Sequence, residues 1–144
     1  MACALRISEA ASLALHATGL MATNPGKPMS TKAIAQSFDV SEAHLSKVLQ
    51  RLGKVGLLKS ARGPRGGFTL ARSPKEITLL DVFEAIEGSL NPDDCLFGTP
   101  MCDGESCVLG TVLVQVNSLL RNHLEGTSLL DASKVFKGER FQII

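Results

Sequence analysis

Cys95, Cys102 and Cys107 are three of the chain's four cysteines, and they stand at C-x6-C-x4-C inside DCLFGTPMCDGESC, a stretch rich in Gly, Pro, Asp and Ser. Loop backbone can turn each sulfur toward a common point, which a helix with this spacing cannot do. Three thiols so placed can share one metal centre. Thiolates are the usual ligands of iron-sulfur clusters and also suit structural zinc; without a metal, the same sulfurs can carry oxidation chemistry. Zinc sites more often show paired C-x2-C spacing, which is absent here, so the spacing favours a cluster by a modest margin.

The compartment decides whether such thiols stay reduced. The opening MACALRISEAASLALHATGLMA is apolar, but Glu9 and His16 interrupt it, and it has neither a basic n-region nor a convincing A-x-A cleavage site. It reads as an amphipathic helix of a cytoplasmic protein, where disulfide frameworks are rare and clustered cysteines more often serve metal or redox chemistry. Elsewhere, no apolar run reaches the about 18 residues needed to cross a bilayer, so a membrane partner is not expected. At 144 residues with 44% hydrophobic and 20% charged content, the chain has the size and composition of one folded domain.

Fifteen Lys and Arg against 14 Asp and Glu give a net charge of only +1, yet the charges are segregated. Residues 43–75 hold eight Lys or Arg and no acid; residues 76–120 hold eight acids and no Lys or Arg. A basic segment followed by an acidic one points to a polyanion-binding surface and a separate region with another task, two solvated faces of unlike charge being the plainer alternative.

The basic segment has a defined pattern. In MSTKAIAQSFDVSEAHLSKVLQRLGKVGLL, Ser30 can cap a short helix with Ile34, Ala35 and Phe38 inward. Asp39 and Val40 make a tight turn, and Ser41 can cap a second helix with a buried stripe of Leu45, Val48, Leu49 and Leu52. Its other face carries Glu42, His44, Ser46, Lys47, Gln50 and Arg51, groups able to meet base edges or phosphates. Two short helices joined by a tight turn match a helix-turn-helix, although a plain helical hairpin has the same outline.

The stretch LLKSARGPRGGFTLAR weighs against the plain hairpin. Residues 57–60 and 68–72 read as strands with GPRGG as the turn, decorated by Lys59, Arg62, Arg65 and Arg72. A hairpin directly after a recognition helix is the wing of a winged helix, and tip arginines suit the narrow, electronegative minor groove. The expected contacts are Ser41, His44, Ser46, Lys47, Gln50 and Arg51 in the major groove, Arg62 and Arg65 in the minor groove, and Lys54 and Lys59 on phosphates. The glycines fit neither the Walker nor the dinucleotide pattern.

In the acidic half, ITLLDVFEAIEG has Thr78 and Asp81 at capping-box spacing, an apolar stripe of Leu79, Val82, Phe83 and Ile86, and Gly88 as a stop. After Cys107, Leu109, Val112, Val116, Leu119 and His123 fall near heptad spacing, widened by Val108, Leu113, Leu120 and Leu124. A helix of about 18 residues, roughly 27 Å long, is expected there. A winged helix has a small core, so a stripe this wide points to a second subunit.

The ordered set running from LRISEAASLALHA through SEAHLSKVLQRLGKVGLLKSARGPRGGFTLARSPKEITLLDVFEAIEG and the three cysteines to TSLLDAS closely resembles the bacterial winged-helix repressors that include the iron-sulfur cluster regulator and the nitric-oxide-sensing repressor. The wing followed by ITLLDVFEAIEG is the most specific part. The resemblance implies a [2Fe-2S] or [4Fe-4S] cluster on Cys95, Cys102 and Cys107, dimerisation through the long helix, and a palindromic DNA operator. It also implies that a fourth ligand comes from the partner's first helix; LALHA makes His16 the first candidate, ahead of His123, Asp94, Asp103, Glu105 and Cys3. A lone histidine in an apolar helix is more often a satisfied core residue, and Cys3 reads as an N-terminal thiol. Familiar members space these cysteines about equally, whereas here the gaps are six and four.

The expected fold is mainly α with a small β wing: a winged helix-turn-helix domain over residues 1–88 with the wing at about 57–72, a cysteine loop over 89–107, and a dimerisation helix with a C-terminal segment over 108–144. The expected protein is a dimeric, sequence-specific DNA-binding regulator acting as a repressor, controlled by a cluster that responds to iron, redox state, oxygen or nitric oxide. The rivals are a cluster-free regulator governed by thiol oxidation or a partner protein, and a zinc-stabilised interaction module. An enzyme is not expected, because no carboxylate pair flanks a histidine, no Ser-His-Asp order stands out and no nucleotide loop is present.

Overall fold

Ser8 opens the first helix, α1 (Glu9–Met21), by accepting the Ala11 N–H on its hydroxyl. A computed structural model describes residues 5–91, 95–97, 99 and 101–136; Cys3 and Asp94 lie outside them. Ala11, Leu13, Ala14, Ala17 and Leu20 of α1 are buried, and the small residues let other helices approach its axis closely. Gly19 is one such point: a methyl there would come 2.8 Å from the Phe136 ring.

Next come α2 (Thr31–Phe38) and α3 (Glu42–Lys54), capped by Ser30 and Ser41 as the sequence predicts. Asp39 turns the chain between them in the left-handed region, φ 54°, a conformation that Asp and Asn tolerate better than most side chains. Leu45, Val48, Leu49 and Leu52 are all buried.

Two antiparallel strands, β1 (Leu58–Ala61) and β2 (Gly67–Leu70), form the wing in the register Leu58 to Leu70 and Ala61 to Gly67. These bounds differ by a residue or two from the expected 57–60 and 68–72. At the start, the Leu57 N–H returns to the Leu52 carbonyl to close the end of α3, with Gly56 at φ 80°, so Leu57 meets the second strand only through its carbonyl, which accepts the Ala71 N–H at 2.9 Å. At the other edge, Met29 adds a third rung, exchanging both backbone bonds with Phe68 at 3.0 and 2.9 Å.

The reciprocal capping box of Thr78 and Asp81 starts α4 (Leu79–Glu87), and Gly88 stops it at φ 89°. Beyond the cysteine loop, α5 (Thr111–Gly126) has 16 residues, shorter than the expected 18 or so, because Gly110 takes a positive φ of 51° and residues before it do not join the helix. A second capping box, Ser128 with Asp131, opens α6 (Leu129–Ser133), and a 3-10 turn, Lys134–Phe136, comes after it.

One apolar core joins α1, α2, α3, the wing, α4 and α6, with Leu20, Ile34, Leu45, Leu49, Leu52, Ile77 and Leu129 fully buried. The segment after α5 returns to this body: the Leu79 N–H bonds to Thr127 O at 2.9 Å and the Leu129 N–H to Ile77 O at 2.8 Å. α5 itself contributes only Leu124 to the buried set. Among the described residues no helix is long and apolar enough to cross a membrane.

Candidate nucleic-acid interface and thiol loop

The outer face of α3 is set by its buried stripe. With four leucine and valine side chains inward, Lys47, Gln50, Arg51 and Lys54 are exposed. Arg51 and Lys54 fall in the last turn, where the negative end of the helix dipole favours cations. Gln50 Nε2 donates to Ser46 Oγ at 3.2 Å, and the Ser41 hydroxyl is engaged by the His44 N–H at 3.3 Å. His44 is only partly exposed, and its Nδ1 lies 3.6 Å from Glu9 Oε1 at the start of α1. Sequence reasoning missed Glu9 as a neighbour of the recognition helix, since the pairing joins segments far apart in the chain.

At the wing, Arg62 and Arg65 are exposed around a turn in which the Gly66 N–H bonds to Gly63 O at 2.9 Å. Gly63 and Gly67 hold φ of 104° and 152°, which other residues rarely adopt. A Cβ on Gly67 would collide with the Met29 carbonyl. Glycine is therefore needed there for the third rung of the wing. Among the described residues, none of Lys47, Arg51, Lys54, Lys59, Arg62 or Arg65 is paired with a carboxylate. Such a row of unpaired cations on one helix and its hairpin is suited to phosphates.

The thiol loop forms a second site. Cys95, Cys102 and Cys107 are free thiols, the first and last half-buried and Cys102 exposed. All three line one open cavity of about 490 Å³, together with Leu96, Phe97, Met101, Val108, Leu109, Leu113 and Val114. The Ser106 N–H, 2.8 Å from Asp103 Oδ1, holds the Asp103 carboxyl below the usual carboxylate range, and this bond shapes the turn between Cys102 and Cys107. The donor set and the apolar enclosure fit a thiolate-ligated group. Among the described residues, though, no three of His, Cys, Asp or Glu stand close enough together to hold a metal ion as the loop is arranged.

His16 is not in that cavity. It is exposed on α1, with Nδ1 2.7 Å from the Ser12 carbonyl and its ring edge-on to Phe38 and Phe136. A ring N–H donated to a carbonyl fixes the tautomer and leaves Nε2 as the acceptor. His123 and Glu105 are exposed, and neither lines the cavity.

At the root of the loop, Arg121 of α5 donates to Glu84 Oε1 of α4 at 2.9 Å and to the Leu90 carbonyl at 2.8 Å. Sequence reasoning missed this arginine as well; the one available signal is that Arg121 is the first Lys or Arg after residue 75.

Residues 7–134 match the Rrf2 family, described as iron-dependent transcriptional regulators. The chain belongs to the Rrf2 family. Within it, the helix-turn-helix regulator BadM of Rhodopseudomonas palustris is 32% identical over 136 residues, covering 94% of this chain and 86% of that protein. The solved structure of CymR, the global cysteine regulator of B. subtilis, superimposes with a TM-score of 0.77 at 28% identity, covering 92% of this chain and 99% of that one. The structure of T. potens IscR gives 0.73 at 30% identity, covering 98% and 93%. These Rrf2 relatives establish the winged-helix fold and the activity: the chain is a DNA-binding transcriptional regulator, not an enzyme.

Proposed function

We propose that the protein is a homodimeric, cytoplasmic repressor that reads a palindromic operator and is controlled through Cys95, Cys102 and Cys107. The observation that carries this reading is that all three thiols line one cavity at the N-terminal end of a helix whose outer face is apolar and exposed. Val112 (57%), Val116 (46%) and Leu119 (73%) form that face, and pairing it with a second copy would place two recognition helices on successive turns of one DNA face.

The three sulfurs would hold a [2Fe-2S] or [4Fe-4S] cluster, with His16 Nε2 of the partner subunit as the fourth ligand. A cluster supplies iron-thiolate bonds that respond to iron supply, oxygen, nitric oxide or redox state. The chain's part is to bring Cys95, Cys102 and Cys107 together, which draws the loop inward and moves its ends at Leu90 and Gly110. The end at Gly110 leads straight into α5, so loop closure shifts the dimer helices and with them the spacing of the α3 pair. On the DNA, Lys47, Gln50 and Arg51 enter the major groove with Ser46 and His44 beside them, Ser41 fixes the helix start, Arg62 and Arg65 reach the minor groove, and Lys54 and Lys59 hold phosphates.

The test is an absorbance spectrum with iron and acid-labile sulfide counts on protein purified without oxygen, beside Cys102→Ala. Iron and sulfide present in the wild type and lost in the variant are expected. A colourless, iron-free wild type overturns the cluster. A second reading, in which the thiols themselves are oxidised, draws support from the exposed Cys102 and the likeness to CymR; there, Cys102→Ala would abolish an oxidant's effect on DNA binding in iron-free protein. Stoichiometric zinc would point to a structural metal instead.

A further inference from the structure

The chain leaves α4 for the cysteine loop through Leu90, and both backbone groups of Leu90 are held by side chains. Its carbonyl accepts from Arg121 Nη1 at 2.8 Å, and its N–H donates to Glu84 Oε1 at 2.9 Å. Arg121 Nη1 also donates to that same Glu84 oxygen at 2.9 Å. One arginine and one glutamate thus fasten the first residues of the loop to two helices at once. Arg121 and Glu84 are 31% and 29% exposed, and charge-assisted bonds at such distances are stronger than neutral ones.

Each member of the cluster belongs to a different part of the proposed switch. Glu84 is on α4, which packs against α1 and the recognition helix α3. Arg121 is on α5, and among the described residues it makes the only side-chain hydrogen bonds from α5 to another element. Leu90 belongs to the strip of chain leading to Cys95. Arg121 is also the only Lys or Arg between residues 76 and 133, so α4, the cysteine loop and α5 carry no second cation to take over its place.

We infer that Arg121 is the positioning residue that couples the cysteine loop to the DNA-reading body. The inference deepens the proposed function and rests on it. Movement of the loop at Leu90 pulls on the guanidinium, and the guanidinium can follow only by shifting α5 against α4 or by giving up Glu84. Either response changes the angle between the dimer helix and the helix that supports α3. Coupling of this kind requires two loop states that differ in their contacts, and the two bonds at Leu90, with the Arg121–Glu84 bond beside them, are such contacts.

The experiment compares wild type, Arg121→Gln and Arg121→Lys in two preparations each: protein reconstituted with ferrous iron and sulfide under nitrogen, and the same protein stripped with a chelator. The readout is the ratio of the two DNA affinities by fluorescence anisotropy, on a duplex selected from a random library by the wild type. The wild-type ratio is expected at roughly 5- to 150-fold. In Arg121→Gln it falls toward 1 while iron content, helicity and dimer mass stay at wild-type values, and hydrogen exchange at the Leu90 amide accelerates. Arg121→Lys recovers part of the ratio, since both bonds leave the one Nη1 and an ammonium keeps the charge and the donors but sits on a shorter side chain. A wild-type ratio kept in Arg121→Gln overturns the coupling alone. A ratio of 1 in the wild type overturns the loop-sensing function and the coupling with it. If Arg121→Gln does not fold, Glu84→Gln carries the same expectations and the same power to refute.

Discussion

Arg65 stands exposed at the wing tip with no carboxylate partner among the described residues, so none of these carboxylates competes with DNA for its charge. Arg65→Ala is expected to weaken operator binding by about 1–3 kcal/mol and to lower the salt slope by about 1; a titration series at several salt concentrations checks both, and unchanged affinity and slope would refute the wing contact. His16 behaves differently from an ordinary buried histidine: its ring is exposed, yet Nδ1 is occupied by a carbonyl. Asp131 offers a residue-scale test of pH dependence. The Lys134 ammonium first, and the Ser128 hydroxyl and N–H next, hold its carboxyl below the usual carboxylate range. A depressed folded-state value means that its contribution to α6 is present above the ordinary carboxylate range and is lost as pH falls through the lowered one. NMR titration of Asp131 and of the α6 amides should show both moving together at acid pH.

The elements were legible to different degrees, for physical reasons that differ. The stripe Leu45, Val48, Leu49 and Leu52 could be read directly because helical periodicity is local, and so could the capping box of Thr78 and Asp81, which spans three residues. Thr78→Ala removes that cap and should cost about 1 kcal/mol in urea-unfolding experiments. The wing bounds slipped by a residue or two because the Leu57 N–H is claimed by the end of α3 while its carbonyl stays with the wing, a contest that strand propensity does not register. Gly67→Ala should detach Met29 from the wing and cost of order 1–3 kcal/mol, seen as lower stability together with lost minor-groove binding. The bonds of Glu84 to Arg121 and of Glu9 to His44 were not legible: they span 37 residues in the first case and depend on how helices pack. Of the candidate site, the three cysteines and the exposed cations of α3 and the wing could be named from sequence, whereas the tether of Leu90 could not.

At the scale of the whole molecule, α5 has two apolar faces with different fates. Leu124 is buried and Leu120 is half-buried against the body, while Val112, Val116 and Leu119 face outward. An exposed apolar row of this kind is costly for a monomer to display in water. Leu119→Asp, at the most exposed position of that row, is expected to give a folded monomer by light scattering with operator affinity reduced at least tenfold, because two linked half-sites bind more tightly than one. The body, meanwhile, does not need the loop to hold together. Backbone bonds from Leu79 to Thr127 and from Leu129 to Ile77 join the start of α4 to the start of α6, across α4, the cysteine loop and α5. Those stitches lie beneath the loop like the band of a ring beneath its setting. Because the entropy of closing a loop grows only slowly with its length, residues can be added, removed or exchanged in the cysteine loop while the DNA reader keeps its shape, and a new sensing chemistry can be mounted on an old reader by changing a few loop positions.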